Sequence, residues 1–279
     1  MRFPFIRRVL ASLFFCVSLH AGGAAAEPVD LELVIATDVS YSIDIEEARL
    51  QREGVAAAFL SREVGQAIRS GIIGKIAVAY IDFASTPFNV TVIDWRVISD
   101  EASAAAFAKD LLAQPINRGR HTSISSALMM AERMLETNAY QGTRRVIDVS
   151  GDGPNNFEQR VDITRDKIVA RGIVINGLPI LNEADRFNQR YYLPDLDRYF
   201  EGCVIGGPGS FIIPAKDFRD FAQAIKRKLV LEIAGHQPEK PARIMKAQMR
   251  APQAGRIYEK GCDIGERMRF GARGGLGEP

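Results

Sequence analysis

Short apolar runs alternate with amphipathic stretches along most of this chain. Leu31, Leu33, Val34, Ile35 and Ala36 make residues 31–37 a buried strand, and 44–69 carries the spacing of one long helix. A second strand is expected over 75–83 (KIAVAYIDF) and a third, alternating and therefore at an edge, over 88–93 (FNVTVI). A helix begun by Ser99 follows over 100–112, then a loop with Gly119. The next helix, over 123–137, puts Ile124, Leu128, Ala131 and Leu135 on one side. Beyond it the pattern predicts a strand over 145–150, a helix over 159–170, a strand over 173–178, a short strand over 210–215 and a last helix over 216–233.

Strands that alternate with helices of this length imply crossover units, a mostly parallel sheet and helices on both faces, which is a doubly wound α/β fold. Ligands of such sheets sit outside the carboxyl ends of the strands, near the point where strand order reverses. Asp38 stands at the end of the first predicted strand. Two segments break the alternation. The polar and aromatic stretch 182–200 reads as a loop or short helical insertion. From Gly235 onward Pro238, Pro241, Pro252 and several glycines interrupt any period, so 235–279 is expected to be a largely disordered basic tail.

The N-terminus changes the picture of where this domain works. Arg7 and Arg8, an apolar stretch over 9–19 and small residues over 21–26 describe a signal peptide cleaved after Ala26, giving 1–26 as leader and 27–234 as one folded domain. The apolar stretch falls short of the roughly 20 residues that span a bilayer. A twin-arginine route fits the residues after Arg8 poorly. With no other long apolar segment, the mature protein is expected to be free of membrane spans and to be periplasmic or secreted. Cleavage removes Cys16 and leaves Cys203 and Cys262, which an oxidising compartment could join; the sequence leaves pairing and free thiols equally open. The net charge of +2 is mixed along the chain and gives no electrostatic case for nucleic acid.

The candidate chemistry begins with Asp38-Val39-Ser40-Tyr41-Ser42, a carboxylate and two hydroxyls at alternate positions that can converge on one hard cation. Taken alone it also reads as a helix start, with Ser42 or Asp44 as N-cap before Glu46 and Glu47. Two further segments bring oxygen ligands to helix starts or strand ends. In 119–128 Thr122 stands at the N-cap of a helix, and in 146–155 Asp152 leaves a buried strand through a Gly-bounded turn. Each has a plain structural reading, as cap and as turn.

In this order and spacing the three segments resemble the von Willebrand factor type A (vWA) domain and its metal-ion-dependent adhesion site. Asp38, Ser40, Ser42, Thr122 and Asp152 match the family pattern, and 75–85, with Phe83 and Ser85, looks like its second strand. The resemblance covers roughly 31–233 and extends to little-characterised bacterial secreted proteins with this domain. It implies a Rossmann-like, mostly parallel six-stranded sheet with one short antiparallel edge strand. It also implies Mg²⁺, or Mn²⁺ in its place, held directly by Ser40, Ser42 and Thr122 and directly or through water by Asp38 and Asp152. Two positions depart from the pattern. Gly151 replaces the usual Thr, with an effect expected on loop packing alone. Asp148 puts a carboxylate inside a strand, where it is expected to pair with Arg144, Arg145 or another basic group, or else to support the metal from outside.

Neutral hydroxyls leave a bound cation short of negative charge, so a carboxylate from a partner can complete its shell. The function expected is thus a non-enzymatic, metal-dependent module that binds a protein presenting Asp or Glu. A hydrolase using the same cation would need a base, and His121 beside Thr122 is the sole histidine candidate, more simply read as closing the turn. A small-solute carrier would ordinarily need a second lobe. A cytoplasmic role beside a ring-shaped ATPase, known for some vWA proteins, conflicts with the leader.

Overall fold

The computed structural model describes residues 26–182, 192–235 and 258–274. The leader expected over 1–26 (Ala26 apart), most of the polar insertion and the tail over 236–257 and 275–279 lie outside the described residues. The central sheet has five strands in the order β4-β3-β2-β6-β7: β2 Leu31–Asp38, β3 Ile76–Phe83, β4 Val90–Ile98, β6 Arg145–Gly151 and β7 Val174–Pro179. β2, β3, β6 and β7 run parallel, and β4 pairs antiparallel with β3 at the edge. A parallel pair formed by β1 (Glu27–Val29) and β5 (Tyr140–Gly142) lies apart from this sheet and was not visible in the pattern.

The sheet is therefore mixed and five-stranded, not a six-stranded one with a short antiparallel edge. The antiparallel edge is nine residues long. The stretch 210–215, expected as a strand, makes only the isolated parallel bridges Gly177↔Ile212 and Ile180↔Ala215. The Phe211 N–H is drawn to the Asn176 side chain at 2.9 Å, and Pro179 of β7 has no N–H to give the Ile213 carbonyl, so a continuous ladder cannot form.

Helices cover both faces. β2 alternates Leu31, Leu33 and Ile35 into one core with Val34 and Ala36 into the other. The first core is closed by α1 (Ile45–Phe59), α2 (Arg62–Arg69), α3 (Glu101–Ala113) and α7 (Phe221–Ala234); the second by α4 (Ile124–Thr137), α5 (Val161–Val169) and α6 (Leu196–Tyr199), which runs into a π-helical turn, Phe200–Val204. The single long helix expected over 44–69 is two. The Ser61 hydroxyl donates to the Ala58 carbonyl and accepts from the Val64 N–H, ending one helix and capping the next. Asp100, not Ser99, caps α3. The helix expected over 216–233 starts only at Phe221, after a turn in which Asp217 accepts from the Arg219 and Asp220 N–H groups. It is also not the last, because the presumed tail contributes α8 (Ile264–Gly274), and Cys262 is joined to Cys203 by a disulfide.

Asp148 is paired, by Lys228 of α7 rather than by Arg144 or Arg145. Arg144 instead donates to the Glu232 and Ile233 carbonyls, a cation at the C-terminus of α7, and Arg145 to the Arg171 carbonyl. Lys228 also reaches Glu232 at 3.2 Å, and Glu232 accepts from Asn176 at 2.9 Å, so two carboxylates share one ammonium under the sheet. Burial pushes Asp148 up to about 7 against the pull of Lys228, with Glu232 adding to the rise. Asp82, held by Arg52 at 2.5 Å, is raised by burial to about 6. Above an unfolded value of about 3.9 the native state holds more protons than the unfolded chain, so stability falls as pH rises toward 7. Urea midpoints between pH 5 and pH 7.5 are expected to decline, and Asp148→Asn to flatten that decline; an unchanged slope in the variant would contradict the assignment.

Candidate metal centre

β2 and β6 are neighbours on opposite sides of the point where the chain reverses its strand order, and their carboxyl ends supply the two acidic residues of the site. Asp38 ends β2 fully buried. Its Oδ1 accepts from the Ser40 N–H at 2.8 Å, and its carbonyl accepts from the buried Gln51 side chain at 3.2 Å. This local turn points Ser40 and Ser42 the same way. The cap function that competed for Ser42 is taken by Asp44, which forms a capping box with Glu47 at the start of α1. Ser42 is thereby free to donate to Asp152 Oδ1 at 2.8 Å across the sheet end.

The helix cap expected at Thr122 is made by Ser123, whose hydroxyl accepts from the Ser126 N–H. Thr122 instead donates its hydroxyl to Ser40 Oγ at 3.1 Å, and Ser40 Oγ lies 3.0 Å from Ser42 Oγ. The five predicted residues are thus brought together: Thr122, Ser40, Ser42 and Asp152 form one hydrogen-bonded chain, with Asp38 beneath it. Gly151 affects more than loop packing, because a Cβ there would lie 3.0 Å from Asp38 Oδ2. A side chain there requires that carboxylate to give by a few tenths of an ångström.

The donor set fits a hard divalent cation. Asp38 is pushed well above the usual carboxylate range, first by burial and then by the neighbouring Asp152. Its Oδ2 is buried with no hydrogen-bond partner among the described residues. A buried carboxylate oxygen left without a hydrogen bond is costly unless a cation meets it. The oxygen–oxygen separations of 2.8, 3.0 and 3.1 Å are close to the edge of an octahedron, roughly 3.0 Å for ligands at about 2.1 Å. Among the described residues no three His, Cys, Asp or Glu side chains cluster to hold a metal, so a site here relies on hydroxyl oxygens.

Of the residues around the site, Asn155 and Asn156 carried no signal in the pattern. Asn156 accepts from the Thr122 N–H at 3.0 Å through its side chain and donates its own N–H to the Thr122 carbonyl at 2.8 Å. Asn155 accepts from the Ser125 N–H at 3.0 Å. Ser85 donates to the Arg120 carbonyl at 2.6 Å. His121 has a positive φ and its ring stacks on Phe157 at 4.7 Å, which is the turn-closing role. At the mouth, Tyr41 is exposed with the Arg118 guanidinium over its ring at 5.4 Å. Asn-Asn in a loop after a strand is not distinctive without the geometry that gives each side chain a backbone to hold.

Comparison with known proteins places the fold. A family described as "Protein of unknown function (DUF1194)" matches residues 28–237. No curated protein matches the chain in sequence. Among solved structures, proximal thread matrix protein 1 from the mussel byssus, in a form described as having a zinc-occupied MIDAS motif, aligns with a TM-score of 0.50 at 15% identity, over 75% of this chain and 49% of that one. The pilus adhesin SpaC from Lactobacillus rhamnosus GG in its open conformation gives 0.51 at 13% identity, over 75% and 30%. A von Willebrand factor type A protein from Catenulispora acidiphila gives 0.51 at 13%, over 74% and 43%. At these identities the likeness establishes a vWA-like fold, and the alignments span less than half of each of those chains.

Proposed function

Since the chain belongs to the family described as Protein of unknown function (DUF1194), whose description assigns no activity, we propose its role from the site itself: a metal-dependent module that binds a protein partner through an Asp or Glu side chain. The observation that carries this is the hydrogen-bonded chain Thr122–Ser40–Ser42–Asp152 at the sheet end, next to a buried Asp38 whose Oδ2 has no hydrogen-bond partner among the described residues. Ser40, Ser42 and Thr122 would hold Mg²⁺, with Mn²⁺ able to replace it, while Asp38 and Asp152 supply the charge directly or through water. When bound, the cation offers an electrophilic position to a partner's carboxylate. The hydroxyls bind without neutralising it, and Asn155 and Asn156 fix the loop that presents Thr122. The matrix protein and the pilus adhesin among the similar structures agree with a role in attachment.

The compartment proposed is outside the cytoplasm. The leader over 1–26 supports it, as does the Cys203–Cys262 disulfide, which persists where thiols are oxidised. No helix among the described residues is long and apolar enough to cross a membrane. Residues 27–234 are proposed as the vWA-like domain, with the disulfide joining it to the C-terminal segment.

The immobilised mature protein is expected to retain partners from its native envelope fraction in Mg²⁺ and to release them on chelation, with loss of retention in Asp38→Ala. Metal-dependent turnover of phosphate or ester substrates, abolished by Asp38→Ala, would overturn the binding-only reading. Gly151→Ala is a finer probe, since the added methyl must push the Asp38 carboxylate aside. It is expected to weaken Mg²⁺ binding roughly tenfold with the fold intact, and calorimetric titration of the folded variant checks it.

A further inference from the structure

The C-terminal segment returns to the loop that carries the site. Gly265 in α8 packs so closely on Asn155 that a Cβ would lie 2.1 Å from the Asn155 carbonyl oxygen. Glu266 accepts from the Asn155 side-chain amide at 2.7 Å, and that side chain's oxygen holds the Ser125 N–H. Arg269 reaches the Asn156 carbonyl at 3.4 Å and lies over the Phe157 ring at 4.4 Å, the ring on which His121 stacks. Both asparagines are buried, at 0% and 2% exposure, so their amides have no water to fall back on.

The approach to α8 is fixed at three points. Cys262 is bonded to Cys203 and Lys260 pairs with Asp195 at 2.6 Å. Tyr258 packs edge-on against Tyr199 at 5.6 Å, and the Tyr199 hydroxyl accepts from the Asn155 N–H at 3.1 Å. An eleven-residue helix is marginal by itself in water, so its position depends on these anchors. The disulfide shortens the tether that would otherwise run through 236–257.

We propose that segment 258–274 is a buttress for the Thr122 loop, in which Glu266, Asn155 and Asn156 act as positioning residues and the Cys203–Cys262 bond keeps α8 in place. Thr122 and Ser125 are then held not by the sheet alone but by the far end of the chain. The consequence for metal rests on the reading of the site given above. The buttress itself does not.

The test compares the full mature protein with Gly265→Leu, which wedges α8 away from Asn155, with Glu266→Gln, and with Cys203→Ala/Cys262→Ala. Hydrogen exchange is followed over 119–126 without metal, and Mg²⁺ affinity by calorimetry. Exchange of the Thr122 and Ser125 amides is expected to accelerate at least about tenfold in Gly265→Leu, beyond any change at the centre of the sheet. Mg²⁺ affinity is expected to fall roughly ten- to hundredfold. Glu266→Gln, which leaves packing intact, gives the same pattern at smaller size if Gly265→Leu fails to fold. Unchanged exchange over 119–126 in folded variants overturns the buttress, whatever the metal does. Faster exchange in a protein that binds no Mg²⁺ upholds the buttress and removes the metal reading. Equal Mg²⁺ affinity with unchanged exchange does the reverse.

Discussion

Lys228→Met is expected to lower the free energy of unfolding by about 3 to 5 kcal/mol, the range for breaking a buried ion pair from one side. Lys228 is fully buried, and its ammonium is shared by Asp148 of β6 and Glu232 of its own helix. Removing it leaves two carboxylates facing each other under the sheet, with the Asn176 amide on Glu232 and the Phe211 ring 5.4 Å from the lost ammonium. The lesion should be repairable. Adding Asp148→Leu and Glu232→Gln removes both stranded charges and is expected to recover most of the loss, because a well-packed apolar replacement of a buried ion cluster is often neutral or stabilising. Chemical denaturation of the single and triple variants checks both halves. A single variant within about 1 kcal/mol of the parent would mean that the cluster is solvated in solution.

The second large effect is a reversal of sign at the site. Without metal, Asp38→Asn is expected to melt above the parent, since it removes a buried acid whose ionised form is disfavoured by burial and by Asp152 and whose Oδ2 has no hydrogen-bond partner among the described residues. In excess Mg²⁺ the order should invert. A parent at a hundred times its dissociation constant gains about 2.7 kcal/mol, and the variant, having lost the charge that attracts the cation, gains little. Stability given up in the empty state for a function in the loaded one is a common pattern at binding sites. Melting curves of both proteins in chelator and in Mg²⁺ decide the matter, and a variant that tracks the parent in both buffers would mean that Asp38 is not a ligand.

Much of this molecule was legible because the determining forces are local. The run from Leu31 to Asp38 has to be a buried strand, and the turn after it follows from Asp38 accepting the Ser40 N–H. Whether Ser42 caps α1 could not be decided from the same residues; Asp44 and Glu47 complete a box that needs no serine. The same exchange occurs at Thr122, one residue before the hydroxyl that caps α4. Long-range partners were the part out of reach. Asp148 called for a cation, but only the packing of α7 on β6 shows that Lys228, eighty residues later, provides it. The tail read as featureless because Gly261, Gly265, Gly271 and Gly274 interrupt the pattern of a helix whose docking depends on a disulfide and on Gly265. The sixth strand failed for a similar reason, since Asn176 draws off the N–H that its ladder required.

The central claim is that Asp38, Ser40, Ser42, Thr122 and Asp152 form a cation site. Calorimetric titration of the intact, chelator-stripped mature protein with Mg²⁺, repeated with Mn²⁺, tests it most directly. The account predicts saturable binding of one ion per chain for either metal, competitive between the two and lost in Asp152→Ala. Absence of binding by both metals in the folded protein, or binding that persists undiminished in Asp152→Ala, would contradict it.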